Sequence, residues 1–227
     1  MPIAVASPTK KRTTKTSKRL MDMYERLYGH FGPCHWWPGE SDLEIAVGAV
    51  LTQNTAWKNV ARAMANLQAA GVLDLPSLRA LPPAQLAELI RPAGYYNLKE
   101  KRLRNLLDML ARECGAELSR LWQRPQPQVR ELLLSVKGVG PETADSIMLY
   151  AGGLPTFVID AYTFRVLGRH GLASEQDAYH DLQALFMDNL PQDPALYNEL
   201  HALIVRLGNR LCKKSAPLCE ECPLRGW

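Results

Sequence analysis

No stretch of this 227-residue chain approaches the run of about 20 apolar residues that crosses a bilayer. Residues 1–20 lack the continuous apolar segment of a secretion signal. These absences exclude a membrane-spanning or exported protein and predict one that works inside the cell. Acid is missing from the same opening segment, "MPIAVASPTKKRTTKTSKRL", which holds six basic residues: Lys10, Lys11, Arg12, Lys15, Lys18 and Arg19. The formal charge of +4 comes from this tail, because without it 21 basic residues face 23 acidic ones. Such an arm suits the phosphates of a nucleic acid, and it also suits a solvated, disordered leader. Strand patterns are nearly absent too. Only "TFVID" (Thr156 to Asp160) reads as extended, and no internal repeat is present.

What remains is helical. Hydrophobic content of 47% and charged content of 22% are those of a globular chain long enough for a real core. Leu103, Leu106, Leu107 and Leu110 follow the i, i+3, i+4, i+7 rule of one apolar helix face. Val129, Leu132, Leu133 and Val136 do the same, as do Ala144, Ile147, Met148 and Ala151. Glycines and prolines divide these segments.

The most informative stretch is "LLLSVKGVGPETADSIMLY" (Leu132 to Tyr150). One helix runs into Gly138-Val139-Gly140 and another begins at Pro141, which fits a first helical turn. Both glycines are expected to take backbone angles that other residues resist. Val139 is expected to point inward as a peg. Bare glycines and a helix N-terminus on the outer side suit a phosphate backbone and would grip it without reading sequence. Lys137, just before the hairpin, suits a phosphate or solvent.

"PTFVIDAYTFRVLGRHG" follows after one helix, with Asp160 between an apolar run and a new helical pattern. The order helix, Gly-Val-Gly, helix, Gly/Pro turn, Val-Ile-Asp resembles the helix-hairpin-helix DNA glycosylase superfamily, its endonuclease III branch in particular. The resemblance spans roughly Leu43 to the C-terminus. "AVGAVLTQNTAWKNVARA" resembles the family's early helix and DNA-facing loop, and "RPAGYYNLKEKRL" its second DNA-facing loop. "HWWPG" (His35 to Gly39) together with "AVLTQNT" resembles the 3-methyladenine glycosylase branch.

The resemblance implies an all-α, two-lobed protein. A six-helix lobe over 41–154 ends in the hairpin. An iron-sulfur lobe joins 17–40 to 155–227, behind a disordered basic tail at 1–16. The implied partner is double-stranded DNA with a damaged base, met by a monomer. The implied reaction breaks the bond between base and sugar through a transition state of oxocarbenium character.

By resemblance Asp160 is the carboxylate that stabilises that charge; it also suits the cap of the following helix. Bifunctional members carry a lysine two residues after the second hairpin glycine, where this chain has Glu142. A glutamate forms no imine, so the expected enzyme is monofunctional, with water as nucleophile. The alternatives are a bifunctional glycosylase/lyase acting on oxidised pyrimidines through Lys137 or another amine, and a DNA-binding module without catalysis. Gln53 and Asn54 are placed to fill the hole a flipped base leaves. Tyr95 is placed as a wedge on the opposite strand. Trp36 or Trp37 is a candidate to stack on the flipped base, and the pair equally suits a hydrophobic clamp between the lobes; Trp57 and Tyr96 read as core.

"CKKSAPLCEECPLRGW" has Cys212, Cys219 and Cys222 in a Cys-x6-Cys-x2-Cys spacing, which suits a metal centre. Zinc held by four thiolates is one reading. The family pattern continues x5-Cys and holds a [4Fe-4S] cluster. Here the sequence given ends at Trp227, where the fourth cysteine would be the next residue: either the sequence is clipped there or the fourth ligand is another group, with Cys34 and Cys114 as the other thiols in the chain. Arg210, Lys213 and Lys214 fall on or near the implied cluster loop, toward DNA.

Overall fold

The computed structural model describes residues 14–115, 117–174 and 176–227. Lys10, Lys11 and Arg12 of the basic segment lie outside the described residues. Among the described residues twelve α-helices follow one another: α1 (Lys15–Phe31), α2 (Asp42–Thr52), α3 (Trp57–Ala69), α4 (Leu75–Ala80), α5 (Pro83–Leu89), α6 (Tyr96–Cys114), α7 (Ser119–Trp122), α8 (Gln126–Leu134), α9 (Pro141–Ser146), α10 (Ala161–Arg169), α11 (Tyr179–Asn189) and α12 (Pro194–Arg210). No strand occurs among the described residues, and Thr156–Asp160 runs without regular structure.

Capping explains several boundaries. Thr14 accepts the Ser17 N–H at 2.9 Å, so α1 begins at Lys15 rather than at 17. Ser41 caps α2, and Asp74 caps α4 through the Ser77 N–H at 2.8 Å. α9 loosens into one π-helical turn, Ile147–Ala151.

Two hydrophobic cores form. The first holds buried side chains from Leu43 to Met148, contributed by α2 through α9. α2 runs through its middle, buried from Leu43 to Leu51. The second core joins Leu20, Met23 and Leu27 of α1 to Leu149, Phe157 and residues of α10, α11 and α12, and ends at Leu224. A buried polar network links the two. Asp145 on α9, fully buried, accepts from Arg130 at 2.8 and 3.1 Å, from the Tyr179 hydroxyl at 2.8 Å and from Gln183 at 2.8 Å. The Thr156 hydroxyl adds a longer fifth bond at 3.4 Å, and a buried carboxylate so held is a strong constraint that fixes α8 and α9 against α11.

Candidate active site

The hairpin between α8 and α9 forms as its sequence predicts, with one correction. Gly138 has φ +101, and a Cβ there would collide with the Arg102 side chain. Gly140 has φ −96, an ordinary angle, and a Cβ on it would meet nothing within 4 Å. Only Gly138 therefore needs glycine for its backbone; Gly140 leaves open space on the outer face. Val139 is 6% exposed and packs into the first core as the peg. Its N–H is bonded to the Val136 carbonyl at 3.0 Å, so it is not free for a phosphate. Lys137 is exposed, and its carbonyl accepts from Asn105 at 2.9 Å.

The two loops differ from expectation in one residue. Gln53 is not free to fill a vacated base position. Its Nε2 donates to the Gly138 carbonyl and to the Thr143 hydroxyl at 2.9 Å, and its Oε1 accepts from Arg102. Asn54 is exposed in the left-handed region at φ +52. Tyr95 is 70% exposed at φ +47. Their backbones are held by a residue the sequence hid. Lys99, 1% exposed, donates to the Leu51 carbonyl at 2.7 Å, to the Thr55 hydroxyl at 2.5 Å and to the Ala93 carbonyl at 2.8 Å. All three ammonium protons are used on the two loops. Burial, with the Arg102 charge adding, lowers its pKa to about 8.

Between the cores lies a cleft of about 990 Å³. Asp160 lines it as the N-cap of α10: its Oδ1 accepts from the Thr163 N–H at 2.7 Å and the Thr163 hydroxyl at 2.9 Å. The capping role and a place in the cleft are thus combined, with Oδ2 left over. Glu142 lines the same cleft. The residue is exposed on the cleft wall, and burial of its carboxyl there, with the Asp160 charge second, raises its pKa to about 7. No lysine is among the residues lining the cleft; its cations are Arg165, Arg206 and Arg210. Arg165 and Arg206 are tied to backbone carbonyls, at Gly208 and Cys212 and at Phe31 respectively, while Arg210 is exposed.

Trp36 and Trp37 line the cleft from a segment without regular structure, so neither has to share a helix face. Trp37 packs over Gly48, where a Cβ would come within 2.9 Å of its ring. Trp57, expected as core, packs on the first core and also faces the cleft, edge-on to Trp36 at 4.7 Å and to Trp37 at 5.1 Å. Tyr96 is partly buried against the first core. Deeper in, Tyr150 and His201 line the cleft as a bonded pair, Tyr150 Oη to His201 Nδ1 at 2.5 Å. Nothing in the sequence singled these two out, because each reads as an apolar-face residue of a helix.

Cys212, Cys219 and Cys222 come near one another beside the second core, where the charges of the first two help raise the Cys222 thiol after burial, its main cause. Yet no group of three or more His, Cys, Asp or Glu among the described residues is arranged to hold a metal ion. The Cys212 sulfur receives an Arg169 N–H at 3.2 Å, and the carbonyls of Lys213 and Lys214 accept from the same guanidinium. Both lysine side chains are exposed. Cys34 sits by Glu199 and the cleft, and Cys114 in the first core, so neither supplies the fourth thiolate.

The family of HhH-GPD superfamily base excision DNA repair proteins matches residues 47–192. A Methanocaldococcus jannaschii protein named as a DNA repair glycosylase is 44% identical over 91% of this chain and 94% of its own length. A thymine-DNA glycosylase of Aeropyrum pernix is 28% identical over 95% and 93%. Among solved structures, the H. pylori 3-methyladenine DNA glycosylase bound to 1,N6-ethenoadenine is 28% identical, with a TM-score of 0.74 over 87% of this chain and 98% of that one. A non-covalent endonuclease III–DNA complex shares the fold, with a TM-score of 0.78 at 22% identity over 93% and 94%.

Proposed function

Because the chain belongs to the HhH-GPD superfamily of base excision DNA repair proteins, and is a DNA glycosylase of that superfamily, we propose that it removes its base by monofunctional chemistry. The observation that carries this is the cleft itself. Glu142 and Asp160 line it together, and no lysine does. Schiff-base chemistry needs an amine at the sugar, and neither Lys137 nor Lys99 suits. Lys137 is exposed outside the cleft, and Lys99 has its three protons bonded to the loops.

The steps follow from the two carboxyl groups. Asp160 faces the sugar of the flipped nucleotide with Oδ2 and stabilises the positive charge that grows as the glycosidic bond lengthens. Water attacks the anomeric carbon. Glu142, titrating near 7, takes the proton that water releases. The products are a free base and an intact strand with an abasic site. Asn54 and Tyr95, exposed on their loops, enter the duplex where the nucleotide leaves. Gly140 admits a phosphate, and Lys137, Arg210, Lys213 and Lys214 meet the backbone.

Trp36, Trp37, Trp57 and Tyr150 give the cleft aromatic walls, which suit a large planar base. This favours an alkylated purine over an oxidised pyrimidine, in keeping with the base bound by the H. pylori relative.

The test uses duplexes with one lesion each: 1,N6-ethenoadenine, a 3-methyladenine analogue, thymine glycol, uracil and a bare abasic site. Strand breaks that appear only after hot alkali are expected, on the purine lesions. Breaks without alkali, trapped by borohydride as a covalent adduct, would overturn the monofunctional reading. Asp160→Asn keeps the cap and should abolish base release while duplex binding survives.

A further inference from the structure

His201 is a buried base that no step above uses. It stands on α12, 6% exposed, with the Phe157 ring edge-on at 6.3 Å. Its Nε2 has no hydrogen-bond partner and lies 3.8 Å from Asp160 Oδ2. A histidine serving only the core would not leave a buried nitrogen unpaired, since that costs more than the bond it forgoes.

The direction of the hydrogen bonds is set by the carboxylate. His201 Nε2 faces Asp160 Oδ2, which repels a bare lone pair and attracts an N–H. Nδ1 is then the acceptor, and the Tyr150 hydroxyl donates to it at 2.5 Å. Burial keeps the imidazole neutral, against the opposing pull of Asp160. A neutral ring has one N–H, so it sits on Nε2 and points at the carboxylate. Asp160 Oδ1 is already engaged by Thr163, which leaves Oδ2 as the oxygen that both the sugar and His201 address. Tyr150 lies on the π-helical turn after α9, a departure from regular helix that often marks a working site.

We propose that His201 is a positioning residue for Asp160: when a lesion duplex fills the cleft, its Nε2–H closes on Oδ2 and fixes that oxygen toward the sugar, with Tyr150 holding the tautomer. The proposal rests on the reading of Asp160 as the carboxylate that faces the sugar. Without His201, Oδ2 would turn freely about the Cβ–Cγ bond as far as its cap bonds allow, and productive orientations would be fewer.

Three measurements test it. Long-range proton–nitrogen NMR of the free protein should show His201 neutral and protonated on Nε2 at neutral pH, and a mixture of tautomers in Tyr150→Phe. Single-turnover base release, on the duplex that reacts in the panel above, should fall about tenfold to a hundredfold in His201→Ala. Affinity for a tetrahydrofuran abasic-site duplex should stay unchanged. His201→Gln places an amide N–H near the Nε2 position and should recover most of the rate. Protonation on Nδ1, a wild-type rate in His201→Ala, or no difference between the Gln and Ala variants would overturn the proposal. If Asp160→Asn retains full activity, the reading of Asp160 falls instead. If Asp160→Asn is dead while His201→Ala is unimpaired, only the positioning role falls.

Discussion

The Gln53 amide donates to the Gly138 carbonyl at 3.0 Å, across 85 residues of sequence. The same group reaches Thr143 in the first turn of α9, so the early loop and the hairpin are held as one surface. Gln53→Ala removes both bonds and leaves Arg102 without its acceptor. We expect a loss of about 1–3 kcal/mol in urea denaturation. Affinity should weaken alike for damaged and undamaged duplexes. A change confined to lesion-bearing duplexes would instead mean that Gln53 contacts the vacated base position.

The two hairpin glycines should separate under the same substitution. Gly138→Ala forces a side chain into Arg102 at φ +101 and should cost on the order of 1–3 kcal/mol of stability. Gly140→Ala meets nothing inside the protein, so its melting temperature should hold. Its DNA affinity should fall, because the added methyl occupies the space a phosphate needs. Calorimetry and fluorescence anisotropy on both variants give the comparison, and a Gly140→Ala protein that binds normally would rule out a phosphate there.

Glu142 makes a pH prediction with a definite sign. Its folded pKa, about 7, lies above the ordinary carboxyl value of 4.5, so the folded state holds the proton more tightly than the unfolded chain. Stability contributed by this group falls as pH rises from about 4.5 to 7, and Glu142→Gln should melt higher than the parent at pH 8 but not at pH 4. Activity runs the opposite way. A base that must be ionised gives a rate rising with pH through about 7, and that limb should vanish in Glu142→Gln. A limb that persists in the variant would assign it to another group.

Lys99→Met keeps the apolar stem but strips three donors from the Leu51 and Ala93 carbonyls and the Thr55 hydroxyl. The expected cost is about 2–4 kcal/mol, the scale of buried acceptors left unpaired. Amides of residues 52–56 and 93–95 should exchange faster with solvent. Unchanged exchange at both loops would show that they hold their shape without the lysine.

Much of this was legible in the sequence, and the misses share a cause. The helices, the hairpin, the Val139 peg and Asp160 as both cap and cleft residue depend on neighbours within a few positions, which spacing displays. Gln53 looked free because its partners Arg102, Gly138 and Thr143 are 49 to 90 residues away. Lys99 reads as a solvated charge on an amphipathic helix, since nothing nearby in sequence announces three acceptors. His201 and Tyr150 are separated by 51 residues and look like ordinary helix-face residues. Trp57 reads as core in the sequence, but its ring has two sides, and the second faces the cleft.

The second core has a consequence for the order of assembly. The first core is built from one unbroken stretch of chain, whereas α1 finds its partners at the other end, with Arg206 bonding the Phe31 carbonyl and Thr14 bonding Asn189 across 175 residues each. During synthesis the apolar stripe of Leu20, Met23 and Leu27 emerges first and is covered last. α2 through α9 can close while that stripe waits, exposed, for α12 to leave the ribosome. Pulse-labelled hydrogen exchange during refolding should find α2 and α6 protected before α1. Simultaneous protection of all three would mean the lobes fold as one. A chaperone that shields an early amphipathic helix would then act on this protein at its N-terminal end, for the time it takes to make the rest.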